Sequence, residues 1–258
     1  MTQVRKKPSF LAVYSWIVFL FLYLPIFVLV AFSFNNSKLN VVWTGFTLKW
    51  FAKLFQDGLI LEATRNSLIV AVISTVASTA IGTLAAVGMH RYHFKGKGSM
   101  EALIYVPIVI PEIVMGISLL AFFALMGMKL GLATITMAHI AFSISFVVVT
   151  VRARLHGFDR ALEEAAMDLG ANERETFLKV TLPVIAPGVL AGALLAFTLS
   201  VDDFVITFFT AGPGSTTLPL KIYSMVKFGV SPEINALSTV ILMVTLVLIV
   251  LSEKLRRA

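Results

Sequence analysis

Apolar residues in this chain come in runs near twenty long, separated by shorter polar stretches. A helix of about twenty residues spans about 30 Å, the hydrocarbon thickness of a bilayer. The pattern predicts six membrane-spanning helices, at roughly Phe10–Phe32, Ser67–Met89, Ala102–Met126, Leu132–Val151, Val184–Phe208 and Ile234–Leu251. The expected fold class is an all-α integral membrane protein, with one membrane domain over residues 1–258 and no low-complexity linker. Six spans place both termini on one side. The first run follows Arg5-Lys6-Lys7 and ends near Ala31-Phe32-Ser33, as a signal peptide would. Its apolar core is about twice the 7–15 residues of such a peptide, so the expectation is an uncleaved helix.

Between the spans, two stretches are more than turns. In residues 34–66, Trp50, Phe51, Leu54 and Phe55 recur at helical spacing behind Thr47, a suitable N-cap, which predicts a short interfacial helix with a Trp anchor. In residues 209–233, Gly212-Pro213-Gly214 turns the chain ahead of an amphipathic segment over Leu218–Phe228. Small residues repeat every four positions at Ser78, Gly82, Ala86 and at Gly188, Gly192, Ala196, stripes that let helix backbones approach closely.

Composition agrees with a membrane chain: 58% hydrophobic, 14% charged, mean hydropathy +0.92. A soluble domain carries about 25% charged residues. The absence of Cys excludes disulfides, thiolate metal sites and Cys nucleophiles. The net charge of +7 is read as topology rather than nucleic-acid binding. Arg5, Lys6, Lys7, Arg91, Lys95, Lys97, Arg152, Arg154, Arg160, Arg174, Lys179, Lys254, Arg256 and Arg257 all fall on one side of the predicted spans. The other side has half as many: Lys38, Lys49, Lys53, Arg65, Lys129, Lys221 and Lys227. The positive-inside rule makes both termini, residues 90–101 and residues 152–183 cytoplasmic.

Residues 152–183 form the longest cytoplasmic stretch between spans, and they carry Glu164-Ala165-Ala166, then Gly170, then Val180-Thr181-Leu182-Pro183. Two short helices are predicted. Asp159 can cap the first, with Ala161, Leu162, Ala165, Ala166 and Leu169 on one face and Arg160, Glu163, Glu164 and Asp168 on the other. Gly170 stands where a left-handed C′ residue is wanted. Asn172 with Glu175 three positions on forms a capping box for the second helix. Leu182-Pro183 leads into the next span, where Pro is tolerated in the first turn. The result is a rigid helix-turn-helix beside the membrane, with small side chains that admit a partner surface.

The spacing EAA-x3-G-x9-V-x-L-P resembles the EAA loop of ABC-importer permeases. Along the rest of the chain, Phe32–Ser37, Pro111–Leu120, Phe197–Asp203, Leu218–Lys227 and Gly229–Ala236 resemble the permease subunits of spermidine/putrescine importers of the PotC type. The resemblance implies a type I ABC importer permease of MetI-like architecture in a bacterial inner membrane, moving polyamines inward. It implies cytoplasmic ATP-binding subunits, a second permease (a paralogue or an identical copy) and an extracytoplasmic polyamine-binding protein as partners. ATP is then used by the partner subunit, with no cofactor bound directly, and ATPase coupling falls to Glu164, Ala165, Ala166, Gly170, Leu182 and Pro183. One departure is Glu112, where the resemblance implies Asp; a carboxylate is kept with one methylene more.

Glu112, His139, Asp202 and Asp203 are the ionisable residues inside the spans. A charged Asp at mid-span costs about 2.5–3.5 kcal/mol on insertion scales, so such groups mark a path, a pair or a bound cation. No Lys or Arg lies in the spans beside them, which argues for a cation pathway with Glu112, Asp202 and Asp203 as its candidate residues. Pro107 and Pro111 predict a kinked or broken helix just before Glu112. Adjacent helical residues point about 100° apart, so Asp202 is the choice for the path and Asp203 for a cap or a bond to a neighbouring helix. Phe204, Phe208 and Phe209 are nearby candidates for cation–π contact. His139 reads as solitary and hydrogen-bonded. His90 and His93 flank Arg91, but a metal site is not expected there. Gly96-Lys97-Gly98-Ser99 lacks the Gly-x4-Gly-Lys-Ser/Thr spacing of a nucleotide loop. No nucleophile–base–orienter set is legible, so no catalytic residues are assigned. Two rival readings stay open: the same architecture carrying another organic cation or a metal chelate, and an ion-coupled secondary carrier using Glu112 and Asp202. A structural scaffold leaves the acidic spans unexplained.

Overall fold

The computed structural model describes residues 10–37, 42–227, 229 and 231–257, with side chains described up to 247. Arg5, Lys6, Lys7, Lys38 and Phe228, used in the sequence reading, lie outside the described residues, as do the side chains of Lys254, Arg256 and Arg257. Helix dominates. The elements are α1 (Phe10–Phe32), α2 (Lys49–Leu54), α3 (Gly58–Arg91), α4 (Lys97–Val109), α5 (Glu112–Leu125), α6 (Leu132–Leu155), α7 (Ala161–Asp168), α8 (Glu173–Thr176), a π-helical turn (Phe177–Thr181), α9 (Leu182–Asp202), α10 (Val205–Thr210), α11 (Leu218–Lys227) and α12 (Pro232–Arg257).

Among the described residues, α1, α3, α6 and the continuous helical stretch Glu173–Asp202 are long and apolar enough to cross a membrane. The third expected span is the pair α4 and α5, bent by 111°. The sixth corresponds to α12. The break between α4 and α5 follows from Pro111. A proline drives its predecessor out of the helical region, and Ile110 is extended at φ −71°, ψ 135°. The fifth span also breaks, where an unbroken helix was expected to Phe208. Asp203 leaves the helix at φ −65°, ψ 124°, and α10 starts afresh. Asp competes with helical backbone bonds and prefers a cap.

The chain divides into two compact units, residues 1–61 with 222–258, and residues 62–221. In the first, α12 packs against α1 and α2. Trp50 is buried and its Nε1 donates to the carbonyl of Asn35 at 2.7 Å. Trp50 is therefore an anchor into its own unit. Lys53 and Glu233 pair at 2.8 Å.

In the second unit α6 is the central element. Ala86 and Val87 of α3 and Ile185 and Ala196 of α9 pack with Val147, Val148 and Val151 of α6. The two small-residue stripes explain the fit. A Cβ on Gly82 would stand 2.7 Å from Val147 Cγ1, and one on Gly188 would stand 2.7 Å from Arg154 Cβ. At the other end, Phe123 of α5, Ala138 and Phe142 of α6 and Ile206 of α10 form a second core. There α5 lies against α10, where a Cβ on Gly116 would meet Phe209 Cδ2 at 2.7 Å.

Candidate functional site

The loop after α6 folds as its local chemistry dictates. Asp159 Oδ1 accepts from the Ala161 amide at 2.9 Å and opens α7. Gly170 closes it with φ +93°, a conformation that Cβ-bearing residues avoid. The Gly170 amide donates to Met167 O and the Ala171 amide to Ala166 O, the two bonds of a Schellman cap. Asn172 and Glu175 make the expected reciprocal capping box, at 3.0 and 3.2 Å. The chain then runs without interruption through α8 and the π turn into α9, with Pro183 in its first turn. Single π turns inside helices often sit at functional positions.

The faces of α7 differ from the expected division. Glu163, expected on the outward polar face, is buried, while Leu169 is 90% exposed and Leu162 and Met167 are exposed beside it. Partners remote in sequence explain the reversal. Arg91, at the end of α3, forms an ion pair with Glu163. Thr181 Oγ1, at the end of the π turn, donates to Glu163 Oε1 at 2.5 Å and accepts from Arg91 Nη2 at 2.9 Å. A second strap joins the same elements, since Arg160 Nη2 donates to the carbonyl of His90 at 2.8 Å. Glu164 and Ala165 are exposed, Ala166 half-buried, Gly170 and Pro183 exposed. Leu182 turns inward and lines an apolar groove of about 470 Å³ between α3 and α9. The outward surface of α7 and its cap thus combines exposed apolar side chains, Leu162, Met167 and Leu169, with two exposed carboxylates, Glu164 and Asp168.

The acidic residues of the spans separate into two kinds. Glu112 opens α5 directly after the Pro111 break and is exposed. Asp202 ends α9 and is exposed. The structure therefore places these two carboxylates at the two chain breaks of its broken spans, whose following helices, α5 and α10, pack together. Asp203 turns inward, with its side chain only 5% exposed. It accepts from the amides of Ile206 at 3.2 Å and Thr207 at 2.8 Å, and from Thr207 Oγ1 at 2.8 Å. His139 Nε2 of α6 stands 3.2 Å from Asp203 Oδ2.

His139 is therefore not solitary, and its other nitrogen, Nδ1, is 2.7 Å from Ser200 Oγ, which Ser74 Oγ of α3 reaches at 3.1 Å. The structure so brings together Ser200, His139 and Asp203, the residue types of a hydrolytic triad, which the sequence reading did not connect. All three are buried, and Ser200 Oγ is held on both sides by hydrogen bonds. The cluster ties α3, α6, α9 and α10 together at the level of the break. In the sequence, Asp203 stands ahead of the apolar run Phe204–Phe209, an N-cap pattern. Phe204, Phe208 and Phe209 form a chain of ring contacts beside it, with centroids 5.6 and 5.3 Å apart.

Comparison with known proteins gives a concordant picture. The family model described as "Binding-protein-dependent transport system inner membrane component" matches residues 78–257. The "Spermidine/putrescine transport system permease protein PotC" of Escherichia coli strain K12 is 47% identical over 240 residues, covering 93% of this chain and 91% of that protein. The "Putrescine transport system permease protein PotI" of the same strain is 44% identical over 231 residues, covering 87% and 82%. Among solved structures, a chain of a bacterial ABC transporter involved in import of the acidic polysaccharide alginate superposes with TM-score 0.77 at 16% identity, covering 94% of each chain. At that identity the likeness is one of fold.

Proposed function

The chain belongs to the family of binding-protein-dependent transport system inner membrane components, and on that premise we propose that it is the permease subunit of an importer that moves polyamines into the cytoplasm, driven by ATP hydrolysis on a separate subunit. The observation that carries the cargo is the likeness to PotC along nearly the whole chain. The exposed carboxylates Glu112 and Asp202 are consistent with it, since polyamines are extended polycations and acids at separate positions can take successive amines.

The geometry supports the following mechanism. A cytoplasmic ATPase seats on the outward surface of α7, around Glu164, Ala165 and Leu169. Displacement of α7 reaches α3 through the Glu163–Arg91 pair and α9 through Thr181 and the π turn. The helix α9 ends at Asp202, so movement of the lever alters the surroundings of that carboxylate. Rocking of packed helices between inward and outward access is an established mode of such transitions. Glu112 and Asp202 attract the cation. Asp203 acts indirectly, by capping α10 and holding the break that presents Asp202. A second permease and an external solute-binding protein complete the assembly, with both termini of this chain cytoplasmic.

The direct test of the coupling role is Glu164→Lys. The variant should assemble in the membrane yet lose polyamine uptake and polyamine-stimulated ATP hydrolysis by about tenfold or more, as expected when the charge of an interfacial anion is reversed. Unchanged coupled uptake would sink the assignment of α7 as the docking helix.

A further inference from the structure

On the end of the second unit that carries α7, a cavity of about 490 Å³ lies among the last turns of α3 and α6 and the first turns of α4. Its polar lining is His90, Lys97, Arg152 and His156, joined by Tyr105 and by the apolar wall of Val149. No acidic residue lines it among the described residues. Glu101 Oε1 accepts from Arg152 Nη2 at 2.9 Å, and Lys97 Nζ donates only to the carbonyl of Tyr92 at 3.3 Å among the bonds described. Nothing in the transport cycle outlined above uses these groups.

We propose that this cavity binds the phosphate group of an anionic ligand, and that the headgroup of an anionic membrane lipid fills it. Two permanent cations, two imidazoles and a phenol converge on one recess, and that donor set suits the acceptor oxygens of a phosphate. The volume accommodates more than a bare ion, because a water occupies about 30 Å³ of liquid. The position fits a lipid. Arg91 and Arg152 end helices that the charge pattern brings to the cytoplasmic face, Tyr105 and Val149 supply the apolar side that an acyl-bearing ligand meets, and basic recesses between helices at that face are where acidic headgroups settle. A soluble phosphate compound carries the same chemistry and is the other source to be distinguished. The site also touches the coupling machinery: His90 contributes its carbonyl to Arg160, one residue ahead of α7. A bound headgroup would thereby brace the base of the α7 lever. The inference needs the chain to sit in a membrane but is independent of which solute it carries.

The experiment is native mass spectrometry of the complete transporter complex taken from membranes containing phosphatidylglycerol and phosphatidylcholine. The expected result is retained phosphatidylglycerol and no retained phosphatidylcholine. Lys97→Gln should lower retention about fivefold, the share of one cation near an anionic surface. The paired variant Arg152→Gln with Glu101→Gln, which removes the cation without stranding its partner, should do the same. Displacement of the lipid by millimolar inorganic phosphate would assign the site to a soluble phosphate compound. Equal retention of both lipids, unchanged in Lys97→Gln and indifferent to phosphate, would overturn the proposal. Lys97→Gln decides alone if the paired variant does not assemble, because the Lys97 side chain has a single described bond at the rim.

Discussion

At the scale of single residues, neighbours decide what each acidic side chain does. Asp202 and Asp203 are adjacent in sequence, yet one is exposed and the other is 5% exposed with four donors around it. Asp203→Asn should therefore destabilise the fold. It removes the charge facing His139 and weakens the cap of α10, and loss of one partner of a buried pair costs about 3 kcal/mol. Thermal unfolding of the purified complex checks this, with a fall in Tm of several degrees expected. Asp202→Asn should change stability by no more than about 0.5 kcal/mol, as surface substitutions do, while lowering uptake. A comparable loss of stability in both variants would contradict the division of roles. Residue-scale reading of the sequence succeeded where the determinant is local. Gly170, Asn172 and Glu175 each act within four positions of themselves, and each adopts the expected cap. It failed at Glu163, whose partner Arg91 is 72 positions away and left no local trace.

At the scale of elements, the informative features are departures from regular helix. Pro107 and Pro111 announced the break before Glu112, because proline chemistry is written in the sequence itself. The break at Asp203 was not foreseen, since it depends on His139 and Thr207 rewarding an exit from the helix, and apolar stretches on both sides of the acidic pair concealed it. The small-residue stripes of α3 and α9 pointed correctly to close packing, though only the structure shows that both face α6. The element with the most leverage is the joint of α7, the π turn and α9, clamped by Arg91. Arg91→Gln should leave Glu163 without its cation and loosen that joint, again at about 3 kcal/mol. ATP hydrolysis by the assembled complex should continue while uptake per ATP falls severalfold. Proportionate loss of both, with the complex intact, would show that the clamp serves assembly alone.

For the whole molecule, class and cargo rest on different evidence. Run length made the all-helical membrane fold legible, because it is a bulk response to a bilayer. The spacing around Glu164-Ala165-Ala166 and Gly170 made the turn between α7 and α8 legible. The proposed cargo pathway draws on both: the sequence marks acids in apolar surroundings, but which of them reach the surface depends on how broken helices pack. The pathway assignment predicts that Glu112→Gln and Asp202→Asn each reduce polyamine uptake by about tenfold or more in assembled complexes, on the scale of losing one charge-assisted contact. Normal uptake in both would remove these residues from the path. The central claim is that this chain passes polyamines at the expense of ATP hydrolysed by a partner. Its most direct test is labelled spermidine and putrescine uptake into proteoliposomes holding the full complex, with ATP and ion gradients supplied separately. The account predicts accumulation with ATP in the absence of any gradient, and none with a gradient alone. Accumulation driven by a proton or sodium gradient without ATP would contradict it.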